Sequence, residues 1–312
     1  MFLNFFIAAI FAGTPLLFGT LGEILNQKSG HLNLGVEGMM AMGACAGFMA
    51  GFLTDSLAVA LIAAFVAGLL GSLVYAVLTV TFMANQNVTG LTLSIFGVGI
   101  SNFVGEYMLT SSNTTSLKLP GQIAAQLSSI NIPGLSEMPV IGPLIFQYNP
   151  FVYLGILIAI ICGFYLNHTK IGLNLRAIGE NPGTGIKVIK LKYINLLIGG
   201  GICGIGGAYC SMIINGGVWM SNSVNGLGWI SVALVIFAAW SPLKAIYGSF
   251  IFGAFNVLKY YIPKTYFTVP NAFYDMLPFM ITALVLVATS IRKSKENSQP
   301  ASCGVNYFRE ER

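Results

Sequence analysis

The sequence predicts an all-α protein that crosses a lipid bilayer about nine times, and three observations carry that prediction. Of its 312 residues, 55% are hydrophobic and only 8% are charged, whereas soluble domains carry roughly 25% charged residues. So few charges cannot cover a water-exposed surface, and mean hydropathy is correspondingly high at +0.79. The 37 glycines fit the same picture, because small residues let membrane helices approach closely. Helices are required because the bilayer core offers no partner to open backbone groups.

Charge-poor stretches fall at about 2–22, 34–53, 57–82, 88–109, 151–167, 194–214, 227–241, 245–262 and 275–291. Most approach the roughly 20 residues that a helix needs to cross the hydrocarbon. The 227–241 and 245–262 pair is divided only by Trp240-Ser241-Pro242, and reads as two short crossings or as partly re-entrant helices. The 2–22 stretch has no basic segment before it, so it is expected to be retained as a span.

Lysine and arginine set the sides. The 168–193 loop carries Lys170, Arg176, Lys187, Lys190 and Lys192 against Glu180, a net +4, and Arg292, Lys293 and Lys295 follow the last span. Both regions are expected in the cytoplasm, which places the N-terminus outside. The division is then a transmembrane domain, 1–291, and a cytoplasmic tail, 292–312. The 110–150 loop lies outside and carries five prolines; it is expected to form short surface helices, a docking platform or a solvated connection. Lys259 and Lys264 fall on the outer side, against the trend. The net charge of +5 sits beside the spans and is no signal for nucleic acid. Trp219 and Trp240 read as interfacial anchors.

In "GHLNLGVEGMMAMGA", residues 30–44, Glu37 heads a run otherwise suited to lipid. Asn33 is placed to cap the second helix, leaving Glu37 in its first turn, where the helix dipole favours a negative charge. Gly35 and Gly38 leave room for another backbone or a ligand, and Gly43, Gly47 and Gly51 continue as a packing stripe. Glu37 is read as lining a watered pathway, the alternative being a structural carboxylate satisfied by hydroxyls or by Lys28. Thr92, Asn102 and Trp229 are further candidates for a neutral polar lining, though each also suits helix packing. In "GLNLRAIGENPGTGIKVIKLKYIN", Asn181-Pro182 reads as the start of a short basic helix outside the membrane. Such a helix would receive force from a soluble partner or rest on anionic lipid. Arg176 and Glu180 are also spaced to pair with one another.

Together with "GLGWISVALVIF", "SPLKAIYGSFIFG" and "MLPFMITALVLVATS", these two motifs resemble the permease subunits of bacterial ABC importers. The resemblance is to the branched-chain amino acid and simple sugar permease family, in its nucleoside-type branch, and runs in order from about residue 10 to 290. It implies a multi-pass protein of the bacterial inner membrane, paired with a second permease chain, homologous or identical. Two ATP-binding subunits would bind below it and an extracytoplasmic substrate-binding protein above. ATP and Mg would belong to those partners, with no cofactor or metal in this chain. Arg176, Gly179, Glu180, Asn181 and Pro182 carry over as the ATPase-coupling positions, and Asn33, Gly35, Glu37 and Gly38 as the motif beside the translocation pathway. Two departures stand out: Gly183-Thr184-Gly185 replaces the usual alanines, and the extra N-terminal span with which many members begin is not expected here, in keeping with an outside N-terminus.

The substrate implied is a small neutral solute, foremost a purine nucleoside, with riboflavin or a simple sugar as alternatives. No GxxxxGK[ST] loop is present, so ATP hydrolysis is not expected of this chain. A stand-alone secondary transporter or channel would place paired carboxylates in its spans, and here only Glu37 and Glu106 come close. An enzyme would need a nucleophile or a metal cluster; His31 and His168 stand alone at span ends, and the five cysteines lack metal spacing.

Overall fold

A computed structural model describes residues 2–130, 136, 138, 142–184, 187–261, 270–292 and 299–307. Among them there is no β-strand, only an isolated antiparallel bridge between Lys118 and Val218. The helices are α1 (Phe2–Lys28), α2 (Val36–Thr54), α3 (Leu57–Ala76, prolonged by a π turn, Val77–Thr81), α4 (Gln86–Ser111) and the short α5 (Gly121–Gln126). After a π turn at Gly142–Phe146 come α6 (Pro150–His168), α7 (Lys170–Glu180) and α8 (Val188–Tyr209, prolonged by a π turn, Cys210–Ile214). The chain ends with α9 (Leu227–Phe237), α10 (Pro242–Tyr261) and α11 (Asn271–Arg292).

Local chemistry sets several boundaries. Asn85, Asn149 and Thr169 accept the backbone N–H of Val88, Val152 and Gly172, capping α4, α6 and α7, and Pro150 and Pro242 open α6 and α10 where a missing N–H costs nothing. Among the described residues, six helices are long and apolar enough to cross a membrane: α1, α2, α3 with its π turn, α4, α6 and α8 with its π turn. The expected 227–241 span is instead the 11-residue α9, about 16 Å long and roughly half the hydrocarbon thickness. Left-handed residues fix both its ends, Gly226 before it and Ala239 and Trp240 after it.

α8 is the axis of the bundle. It packs against α1, α2 and α3, and its run Gly199–Gly207 is what admits them. A Cβ at Gly204 would collide with the Ala64 carbonyl oxygen of α3, and Gly43 of α2 lies against the same glycine. Gly47 continues that stripe against Ala208. Cys203 and Cys210 are fully buried in this contact.

Two ends can be told apart. At one, the 29–35 segment, the α3–α4 loop, α7 and residues 299–307 meet. At the other, Asp55 accepts the Ile123 N–H, Lys118 pairs with Val218 and the Tyr261 hydroxyl donates to Asn4. Residues 117–127 of the expected 110–150 loop therefore fold back on the helix ends: α5 lies over them, with Ile123 fully buried, while 131–135, 137 and 139–141 lie outside the described residues. Trp219 and Trp240 are packing residues, not lipid-facing anchors. Trp219 packs on Phe48 with tilted rings 5.5 Å apart and the Trp240 indole N–H donates to Gln27 at 2.6 Å, both within the protein.

The close approach to α8 gives a direct test. Gly204→Val should lower the melting temperature of the detergent-solubilised protein by several degrees, an overpacking cost of about 1–3 kcal/mol. Gly99→Ala should leave it unchanged, because no neighbouring heavy atom lies within 4 Å of that Cβ position. Identical melting curves for the two variants would contradict the packing described.

Candidate functional site

The chain between α1 and α2 is not helical, yet it runs beside buried helix. Asn33 stands level with Glu23, five residues before the end of α1 and so about 7 Å inside the bundle. Every peptide group here needs a partner that water cannot supply. Glu23, fully buried, accepts the Asn33 N–H at 3.1 Å while the side chains of Asn26 and Gln27 donate to its oxygens at 3.0 and 2.8 Å. The Tyr75 hydroxyl donates to the Leu32 carbonyl, the Gln86 side chain takes the Leu32 N–H, and the Ser94 hydroxyl donates to the Leu34 carbonyl. The Asn33 side chain takes the Gly35 N–H at 2.8 Å. Asn33 is therefore not the cap of α2, which begins after Gly35; it ties the turn that precedes the helix.

α2 thus starts inside the bundle, and Glu37 is its second residue. Neither hydroxyls nor Lys28 satisfies this carboxylate. Its oxygens accept the backbone N–H groups of Gly226 at 2.8 Å and Gly228 at 2.7 Å, at the head of α9. Two helix N-termini converge on one carboxylate, and their positive ends favour its charge. Gly228 is required for this approach, since a Cβ there would stand 2.5 Å from the Glu37 Cα. Gly226 is required by its φ of +85°.

Glu37 lines a cavity of ≈ 320 Å³ with Ser101, Asn102, Asn222, Ser223 and Asn225. Asn102 and Asn222 hold each other by two bonds of 2.9 Å, side chain to side chain and backbone N–H to side chain. On the other side of the 220–226 strand of chain lies a groove of ≈ 850 Å³. Asn215, Ser221, Asn225, Trp229, Asn256, Lys259, Tyr260 and Tyr274 are among its walls.

The sequence candidates divide accordingly. Glu37, Asn102 and Trp229 come to these two cavities. Gly35 and Gly38 pack on α4, against Gly90 and Leu93. Asn33 is buried in the turn, and Thr92 faces away with its hydroxyl donating to Val88 in its own helix. Sequence reasoning missed Glu23, which falls just beyond the first charge-free stretch; its signal was Asn26 and Gln27 at i+3 and i+4. It also missed the "NGGVWMSNSVNG" stretch, residues 215–226, whose density of Asn, Ser and Gly marks irregular backbone.

The coupling positions lie at the α7 end. The helix there precedes Asn181 and does not follow it. Pro182–Thr184 form one 3₁₀ turn, in which the Asn181 side chain accepts the Gly183 N–H. Gly183 in the middle of this turn weakens any longer helix. α7 buries Leu175, Ile178 and Gly179, the last against the carbonyl of Lys28, and exposes Ile171 and Leu173. Arg176 donates to Asn167 at 3.5 Å, and Glu180 accepts from the Ala301 N–H at 3.4 Å, so the two turn to different partners. His31 packs on Tyr75 and His168 on Phe164. Among the described residues no group of His, Cys, Asp and Glu is placed to hold a metal.

Comparison with known proteins places this architecture. A family model described as branched-chain amino acid transport system / permease component matches residues 5–286. The nucleoside ABC transporter permease protein NupC of Lactococcus lactis is 32% identical over 95% of this chain and 94% of its own. The guanosine ABC transporter permease protein NupQ of Bacillus subtilis is 29% identical over 98% and 96%. A putative glucose ABC transporter permease protein of Haloferax volcanii is 32% identical over 81% and 75%. No solved structure matches. With a multi-pass helical bundle and a family match over most of its length, the chain belongs to the branched-chain amino acid transport system permease family and is an ABC transporter permease.

Proposed function

We propose that this chain forms the path by which an ATP-driven importer moves a purine nucleoside across the bacterial inner membrane. The observation that carries the reading is the pair of cavities flanking residues 220–226, whose walls offer mainly amides, hydroxyls and aromatic rings, with Glu37, already held by backbone, in the smaller and Lys259 in the larger. Such walls suit a neutral, hydroxylated, ring-bearing solute. The nucleoside and guanosine permeases among the relatives favour the same class. A simple sugar is the second reading, favoured by the glucose permease relative; riboflavin fits the same chemistry less directly.

The chain crosses the membrane nine times in this reading, with α9 as a half-helix completed by residues 218–226. Successive helices then alternate between the two ends, leaving the N-terminus outside and the α7 end in the cytoplasm. Residues 1–291 serve as the permease domain. The partners are a second permease chain, two ATP-binding subunits that carry ATP and Mg, and an extracytoplasmic binding protein that selects the solute. The ATP-binding subunits grip α7, whose Ile171 and Leu173 stand exposed. Motion of α7 passes to the end of α1 through Gly179 and Lys28, then through the Glu23-held segment to α2. At the head of α2, Glu37 carries it to α9 and residues 220–226. Glu37 is thus a positioning residue, a latch between two half-helices.

Three outcomes are expected. Reconstituted complex should take up labelled nucleoside only with ATP and the loaded binding protein; uptake that follows a proton or sodium gradient without ATP would refute the reading. Glu37→Gln offers one acceptor oxygen to two N–H donors, so uptake should fall about tenfold or more, the equivalent of about 1.4 kcal/mol, while the complex still assembles. Unchanged uptake would leave Glu37 a purely structural group. Arg176→Ala and Glu180→Ala should each preserve basal ATP hydrolysis but lower the solute carried per ATP several-fold, and a normal ratio in both would remove α7 from the coupling route.

A further inference from the structure

The C-terminal residues 299–307 do not hang free. Ser302 donates both its backbone N–H, at 2.9 Å, and its hydroxyl, at 2.6 Å, to the Gly179 carbonyl, and the hydroxyl also reaches the Ile178 carbonyl. These carbonyls end α7, where no further turn of helix satisfies them. The coupling helix is therefore capped by a residue more than a hundred positions away. The same segment holds the loop between α3 and α4. The Asn306 amide donates to the Met83 carbonyl at 2.5 Å, and Gln86 donates to the Val305 carbonyl at 3.3 Å. Gln86 in turn accepts the Leu32 N–H, so the 29–35 segment is part of the same knot. Finally the Tyr307 ring lies 5.7 Å from the Lys192 ammonium at the base of α8, and that lysine is almost fully buried.

We propose that residues 299–307 are a strut that stays docked throughout transport and makes α7, the α3–α4 loop and the base of α8 move as one body. A simple helix cap needs only a local side chain or water. This segment caps α7 and, a few residues later, binds two other elements of the same end, which a local cap does not do. Its own turn is set for this, with Gly304 at a φ of +85° and the Val305 N–H returning to the Ser302 carbonyl. Without the strut, α7 keeps its contacts to α1, α6 and α8, but its displacement no longer carries the α3–α4 loop.

The transport readout of this inference rests on the ATP-driven reading above, whereas docking of the strut does not, and the experiment separates the two. Met83→Cys and Asn306→Cys, in a Cys303→Ser background, should be joined in native membranes by a short bis-methanethiosulfonate cross-linker, because the Asn306 amide reaches the Met83 carbonyl. The cross-linked complex should keep nucleoside uptake within about twofold of the reduced one. Failure to cross-link would overturn the docking. Cross-linking that abolishes uptake, reversed by reductant, would overturn permanent attachment and make the segment a lid that must open. The double variant Ser302→Val with Asn306→Leu should hydrolyse ATP at the basal rate but carry at least about fivefold less solute per ATP; an unchanged ratio overturns the strut. A wild-type complex that transports without ATP would instead refute the importer reading and leave the cross-linking result standing.

Discussion

Peptide groups that leave the helix inside a membrane protein must be hydrogen-bonded by the protein itself, and this fold depends on meeting that demand at two places. Between α1 and α2 the chain runs unwound through buried surroundings, and Glu23, Tyr75, Gln86 and Ser94 supply the partners that water would supply elsewhere. At the head of α9 the same demand is met by Glu37, which takes two N–H groups at once. A carboxylate inside a membrane is costly unless its charge is needed. Here each one has two or more donors aimed at it, and Glu37 also faces two helix N-termini.

From these two anchors the bundle divides into a tight part and a looser part. α1, α2, α3 and α8 meet backbone to backbone through glycine and form a block with little room for independent side-chain adjustment. α10 joins the block through Gly13 and Gly253, where it meets α1 backbone to backbone, while α9 and the 215–226 stretch border the two cavities. Packed blocks shift as bodies about loops and do not deform continuously. The glutamates sit where such a shift would be felt: Glu23 joins α1 to the unwound segment within the block, and Glu37 joins the block to α9.

Most of the architecture was legible because burial in lipid leaves a coarse mark. Absence of charge over about 20 residues located α1, α2, α3, α4, α6 and α8. What was not legible depended on contacts distant in sequence. α9 is short because Gly228 must meet Glu37, almost two hundred residues away, and nothing in "GLGWISVALVIF" announces that meeting. Trp219 and Trp240 have the composition of interface anchors, yet Phe48 and Gln27 enclose them. Glu37 stood out as a charge in an apolar run; Glu23 did not, because it follows a stretch already long enough to be a complete span. At Asn181-Pro182 the local signals of a helix start were present, but among the described residues they open only the 3₁₀ turn Pro182–Thr184, and α7 lies on the other side of the asparagine.

The cavities also indicate how selectivity is divided in the proposed importer. Glu37 already gives both oxygens to backbone donors, so a solute passing it meets mainly the amides and hydroxyls of residues 101–102 and 222–225. Asn102 and Asn222 are likewise engaged with each other. A wall whose polar groups are mostly paired among themselves offers a solute replaceable hydrogen bonds instead of vacant ones, and so holds it weakly. Weak holding is what a path requires, since a solute bound tightly midway would not leave. In that proposal, recognition strong enough to distinguish a nucleoside from a sugar falls to the binding protein before entry, while this chain supplies passage.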